Sequence, residues 1–228
     1  MMINALIIAS EITKGMKSLG SRSMLNINSK NKIIDQQISS IKTIHRNAEI
    51  TISCGFEYEK INNYINKRYK NIQLIHNKDY ETTNEARDIE LFLIDKKPDD
   101  IDYLFIISGG VLLKKKAISF TKIKKSSRIF LMRSVKNNFK LGCSKKDNIE
   151  YVFYDLDIPW CECLLLNKES VIKLKSFIQG NNVLNMYLFE MLNSILTIDD
   201  IQPCYINKND IMKITSFADI TRAKSFIT

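Results

Sequence analysis

Apolar residues in this chain follow two rhythms: short unbroken runs, and stretches where they recur every third or fourth position. Asn4 to Ala9 is an unbroken run of the kind that forms a strand buried on both faces. A polar stretch from Ser10 to Ser23 follows. Ile34, Ile38 and Ile41 then predict a helix by their i, i+4, i+7 spacing. Glu49 to Cys54 reads as a second strand ending at Gly55, and Glu57 to Tyr69 as a helix with Ile61, Tyr64 and Ile65 inward. Asn71 to His76 is a third strand. Thr83 to Lys96 is helical, with Ala86, Ile89 and Leu93 as its stripe and Pro98 beyond it as a stop. Tyr103 to Ser108 is the fourth strand, and it breaks on Gly109 and Gly110.

The second half is less regular. Arg128 to Met132 and Tyr151 to Tyr154 read as strands flanking a Lys-rich excursion, and Cys161 to Leu166 as another apolar strand. Helices are expected over Lys168 to Ile178 and Asn182 to Ile195, with Gly180 between them as a C-cap. Gln202 to Ile206 and Ile211 to Thr215 are short strands, and Phe217 to Phe226 a closing helix. Alternation of strand and helix through the first half argues for parallel pairing with right-handed crossovers. No repeat or Pro/Gly linker divides the halves. The reading is one α/β domain over 1–228, its mixed, mainly parallel central sheet carrying helices on both faces.

Composition narrows the function classes. An apolar fraction of 45% excludes a disordered chain. A net charge of +9 suggests an acidic partner, but Lys, Ile and Asn abound throughout, as an AT-rich genome would give, so the charge alone marks no site. Lys114 to Lys116 and Lys122 to Lys125 read as solvated faces. The apolar start is too short for a secretory leader, with Glu11 close behind it, and no segment reaches the roughly 18 apolar residues of a membrane span. A cytoplasmic location with free thiols follows. Cys161 and Cys163 lack the further Cys or His that a metal site needs, and read as core. His45 and His76 stand without a nucleophile signature.

Four stretches together resemble a known family. ALIIASEITKGMKSLGSRSMLNIN from Ala5, ITISCGFEYEKINNYI from Ile50, HNKDYETTNEARDIELFL from His76 and KITSFADITRAKSFI from Lys213 are similar, in order, to segments of nucleotidyltransferases of the sugar-phosphate, phosphocholine and molybdenum-cofactor type. The resemblance implies a Rossmann-like, GT-A-like sheet. It also implies a cleft in which a Gly-rich loop cradles a triphosphate, a Lys neutralises phosphorus, and two carboxylates hold Mg²⁺. By that resemblance the nucleotide-facing positions are Ala9, Ser10, Lys14, Gly15, Arg22, Thr83, Asn84, Ser108 and Gly109.

The departures are specific. The loop glycines fall on Glu11 and Thr13, the family Lys on Arg22, and the two metal-binding Asp positions on Gly110 and Thr215. A neighbour such as Asp155, Asp157 or Asp210 could replace one lost ligand, but not two. No residue is therefore assigned as catalytic or metal-binding, and Mg²⁺ is expected only if activity survives. The bland reading of Thr82 or Thr83 is a helix N-cap, of Arg87 a surface pair with Asp88 or Glu90, and of Trp160 a core anchor.

Two functions compete. One is an inactive nucleotidyltransferase fold kept as a binding or structural component, in a viral setting associated with the virion. It would take a nucleotide, a phosphorylated small molecule or a protein assembly partner. The other is a working Mg²⁺-dependent enzyme moving a nucleotide from an NTP to a sugar phosphate or phosphocholine. Nucleic-acid binding has no motif behind it. The alignment makes one geometric demand: Gly110 and Thr215 must lie side by side at the C-terminal edge of the sheet, in a cleft without acids to anchor an ion.

Overall fold

The computed structural model describes residues 2–12, 15–94, 96–115, 117–118, 126–133, 139–146 and 148–226. The first half alternates as the periodicity predicts: β1 (Ile3–Ala9), α1 (Ile33–Ile44), β2 (Glu49–Cys54), α2 (Tyr58–Arg68), β3 (Ile72–His76), α3 (Glu85–Leu93) and β4 (Tyr103–Ser108). Next come β5 (Val111–Leu113), β6 (Arg128–Met132), β7 (Leu141–Lys145), β8 (Ile149–Tyr154) and β9 (Ile158–Asn167). The chain ends with α4 (Lys168–Gly180), α5 (Leu188–Leu196), β10 (Gln202–Ile206), β11 (Ile211–Lys213) and α6 (Phe217–Phe226).

The main sheet runs β10-β6-β9-β4-β1-β2-β3, with β7 and β8 as a hairpin beside β9. β4, β1, β2 and β3 pair in parallel, β10 pairs in parallel with β6, and β9 lies antiparallel between β4 and β6. The sheet is mixed and mainly parallel. A separate antiparallel ribbon joins β5 to β11.

All of β1 is buried because both of its faces are covered. Ile3, Ala5, Ile7 and Ala9 pack with Ile34, Ile38 and Ile41 of α1 and Ile61 and Ile65 of α2. Leu6 and Ile8 point the other way, toward Ala86 and Ile89 of α3, Leu174 of α4 and Leu192 of α5. A third cluster under the ribbon joins Met16, Ile27 and Ile33 to Leu112, Ile214 and Ala223. Trp160 is the core anchor expected of it, wholly buried, its indole N–H donating to the Cys163 carbonyl at 3.1 Å. The five cysteines are free, and all but Cys204 are buried.

Several boundaries differ from the sequence reading. The helix expected from Asn182 starts at Leu188, and the one expected to reach Lys96 ends at Leu93. Gly180 is not a left-handed cap. It closes α4 as an ordinary helical residue, and the Asn181 side chain reaches back to the Phe177 carbonyl at 2.7 Å, so no positive φ is needed there. β5 and β7 were not foreseen. Of the two Lys clusters, Lys116 and Lys122 to Lys125 lie outside the described residues.

Candidate functional site

The C-terminal ends of β1, β2, β3 and β4 form one edge, with Ile8 level with Ser108 and Cys54 level with both Ala9 and His76. In an open α/β sheet this edge is where ligands bind. A cleft of about 470 Å³ opens there, and its walls include Glu11, Arg22, Glu85, Ser108, Glu162 and Thr215.

Of the two positions matched to the family's metal-binding acids, Gly110 lies opposite Ile214, the residue just before Thr215. Ile214 donates its amide to the Gly110 carbonyl at 2.8 Å, extending the β5–β11 ribbon by one rung. Neither position supplies an acid. Thr215 donates both its amide and its hydroxyl to Asp219 at 2.9 Å, which also accepts from Ser216 and so fastens the start of α6. Gly110 is covered by Arg22: a Cβ at this glycine would lie 2.4 Å from the guanidinium carbon. The Arg22 side chain is 7% exposed, and its guanidinium donates to the Ile214 carbonyl at 3.1 Å and pairs with Glu11.

That contact makes a prediction. Gly110→Ala should lower stability by about 2 kcal/mol, because the methyl must push a buried guanidinium off its carbonyl. In an Arg22→Ala background the same change should cost little. Urea unfolding of the four chains of this cycle measures the coupling.

The cleft is not stripped of acids, contrary to the sequence expectation. Three carboxylates line it, none of them at the family's two metal-binding positions. Glu11 comes from the loop after β1. Glu162 comes from β9, where β6 pairs Ile129 with Leu164 and Leu131 with Trp160, so β9 spends more residues than β6 on the same span. That bulge puts Glu162 at φ 51°, a left-handed conformation costing a non-glycine residue about 1 kcal/mol, and turns its carboxylate toward Lys213. Glu85 opens α3 and accepts the Leu188 amide at 3.2 Å, joining the N-termini of α3 and α5. Burial, reinforced by the charges on Glu11 and Glu162, pushes the Glu85 carboxyl up to about 7 despite those amide bonds.

Most of the expected nucleotide-facing groups are spent inside the protein. The Ser10 hydroxyl donates to the buried Asp88 at 2.6 Å, with Ser53 and Asn77 as Asp88's other donors. Asp88 is therefore no surface partner of Arg87, which pairs with Glu90 at 2.7 Å and approaches Asp79. Thr83 donates to the Asp79 carbonyl, and so does Thr82, so neither caps the helix. Asn84 takes the cap position with extended backbone, but its side chain goes to the Asn185 carbonyl at 2.7 Å. Gly109 donates its amide to the Ile8 carbonyl and has no room for a Cβ against it. Ala9 is buried, Gly15 is exposed at φ 78°, and Lys14 lies outside the described residues. Arg22 and Ser108 are the expected positions that do line the cleft. Asp155, Asp157 and Asp210 do not.

The residues present do not fit a divalent metal at the position the resemblance implies. A guanidinium stands where Gly110 and Ile214 meet, Thr215's hydroxyl is engaged by Asp219, and Glu162 is closed by its ion pair with Lys213. Among the described residues no group of three His, Cys, Asp or Glu side chains could hold an ion.

The fold is that of the nucleotidyltransferases. The chain overlays the CTP:phosphocholine cytidylyltransferase of Streptococcus pneumoniae with a TM-score of 0.78, at 16% identity over 98% of each chain. The inositol-1-phosphate CTP transferase of T. maritima matches with a TM-score of 0.77, at 13% identity over 98% of this chain and 95% of that one. A 4-diphosphocytidyl-2C-methyl-D-erythritol synthase from Anaerococcus prevotii gives 0.65 at 15% identity, over 99% of this chain and 95% of that one. No protein-family model matches the sequence, and no curated protein matches it either.

Proposed function

We propose, from the premise of a nucleotidyltransferase fold, that residues 1–228 act as one unit that has lost nucleotide transfer. It serves as a binding or structural component, taking a nucleotide or another phosphorylated small molecule into its cleft. The observation that carries this reading is that Gly110, opposite Ile214, has no side chain, while the next residue, Thr215, has its hydroxyl bound to Asp219. Transfer from a triphosphate needs positive charge held against the phosphates as pyrophosphate departs, and losing a metal ligand forfeits several kcal/mol of that stabilisation. A protein assembly role, including one in a virion, is the setting in which such a component is used. No helix among the described residues is long and apolar enough to cross a membrane.

A second reading is a working transferase whose acceptor is a phosphorylated amine. What favours it is the cleft mouth, where Tyr154 and Tyr187 stand beside Glu85 and Glu162, a mixture of rings and carboxylates that suits a cationic head group. One assay separates the two readings. The protein is incubated with CTP, GTP or UTP, Mg²⁺, and phosphocholine or a sugar 1-phosphate, and pyrophosphate is measured. No release above the protein-free blank is expected; sustained release with any pair would establish the working enzyme.

A further inference from the structure

We infer that Arg22 is a built-in cation occupying the metal's position in this cleft, and that it binds a nucleoside polyphosphate, free of divalent metal, by exchanging the Glu11 carboxylate for a phosphate oxygen. The inference rests on the inactive-fold reading and adds to it the ligand, the residue that holds it and the group it displaces.

The guanidinium is fixed on its inner side. It packs on the bare backbone of Gly110, which only glycine permits at this separation, and Nη1 donates to the Ile214 carbonyl. These contacts hold it where the last rung of the β5–β11 ribbon meets the sheet edge. Arg22 lines the cleft, and among the described residues Nη2 donates only to Glu11.

Glu11 is suited to leave. It is 43% exposed, lies on the loop rather than in β1, and among the described residues makes no hydrogen bond or ion pair except with Arg22. Its charge also bears unfavourably on Glu85 and Asp88. A carboxylate on a guanidinium has the same donor–acceptor geometry as a phosphate on a guanidinium, and the planar fork favours the phosphate's greater charge. Lys213 and Lys140 also line the cleft and offset the charge a phosphate brings past Glu162 and Glu85. The Glu11–Arg22 pair is thus the ligand-free form of the contact, with the protein's own carboxylate in the phosphate's seat.

The test is calorimetric titration of inorganic pyrophosphate, and separately of CTP, into the wild-type chain, Glu11→Gln, Arg22→Gln and Arg22→Lys, each in EDTA and in Mg²⁺. Wild type should bind both ligands in EDTA, and Mg²⁺ should weaken binding by competing for the phosphates. Glu11→Gln should bind about ten-fold tighter, since no charged partner has to be displaced. Arg22→Gln should lose at least about ten-fold, with Arg22→Lys between, as a point charge without the fork. Binding that requires Mg²⁺, or Arg22→Gln binding like wild type, overturns the inference. Should Arg22→Gln not fold, Glu11→Gln decides, because it alters an exposed side chain: affinity equal to or below wild type overturns the inference. Pyrophosphate release in the transfer assay would overturn the inactive-fold reading itself. A silent protein that holds pyrophosphate without Arg22 would overturn this inference alone.

Discussion

Unfolding of the Glu85→Gln chain should show a flatter pH dependence than wild type, the difference between the two amounting to about 3 kcal/mol across the window from about pH 4.5 to about pH 7. The sign follows from the direction of the shift. The folded carboxyl holds its proton up to about 7, whereas the unfolded chain releases it near 4.5. Between those values the folded state binds more protons, so wild-type stability falls as pH rises. The contribution is fully present below about 4.5 and gone above about 7. Asp88, also raised by burial, acts in the same direction in both chains and cancels in the comparison. Urea unfolding at half-unit pH intervals provides the curve. Parallel curves for the two chains would mean that Glu85 ionises at its ordinary value.

Asp88→Ala should destabilise the protein by about 3 kcal/mol at neutral pH, and Asp88→Asn by less. Asp88 is wholly buried below the cleft and accepts from three donors: Ser10 at the end of β1, Ser53 in β2 and Asn77 after β3. Alanine leaves those donors without an acceptor, each costing about 1 to 3 kcal/mol before hydroxyl rotation recovers part of it. Asparagine keeps an acceptor oxygen and also removes the desolvated charge. Because the carboxyl is raised by burial, the asparagine chain should compare best with wild type at high pH, where the wild type carries its full ionisation cost. An alanine chain as stable as wild type would show that water satisfies the three donors.

The first half of the fold was legible because parallel strands covered on both faces are written as unbroken apolar runs, and each crossover helix as a stripe. β5 and β7 carry no such signal. β5 is three residues behind two glycines, and β7 shows only Leu141, Gly142 and Cys143 between polar neighbours. That the segments around Gly110 and Thr215 come together was legible from two motifs matched to one sheet edge, although the residue opposite Gly110 is Ile214. Glu11 was legible as a charge in the loop after β1, but the other two acids of the cleft were hidden for two reasons. Glu162 sits in the run CECLLL, where strict alternation predicts a strand residue like its neighbours, and only the bulge turns it into the cleft. Glu85 looks like any first-turn carboxylate, and its second partner, the Leu188 amide, is distant in sequence. Asp88 beside Arg87 reads as half of a surface pair until the helix phase places it against β1 and β2. The signal that was available and unused is the lone charge inside an apolar run, as at Glu162.

The ribbon of β5 and β11 has a consequence for synthesis. Arg22 emerges from the ribosome well before Ile214, whose carbonyl steadies it from just beyond β11, the strand that pairs with residues 111–113. A nascent chain that has made β1 through β10 still lacks a finished pocket. Truncation before residue 211 should therefore leave a largely ordered sheet whose arginine is loose, and the ligand capture proposed for that arginine should fail in the shortened chain.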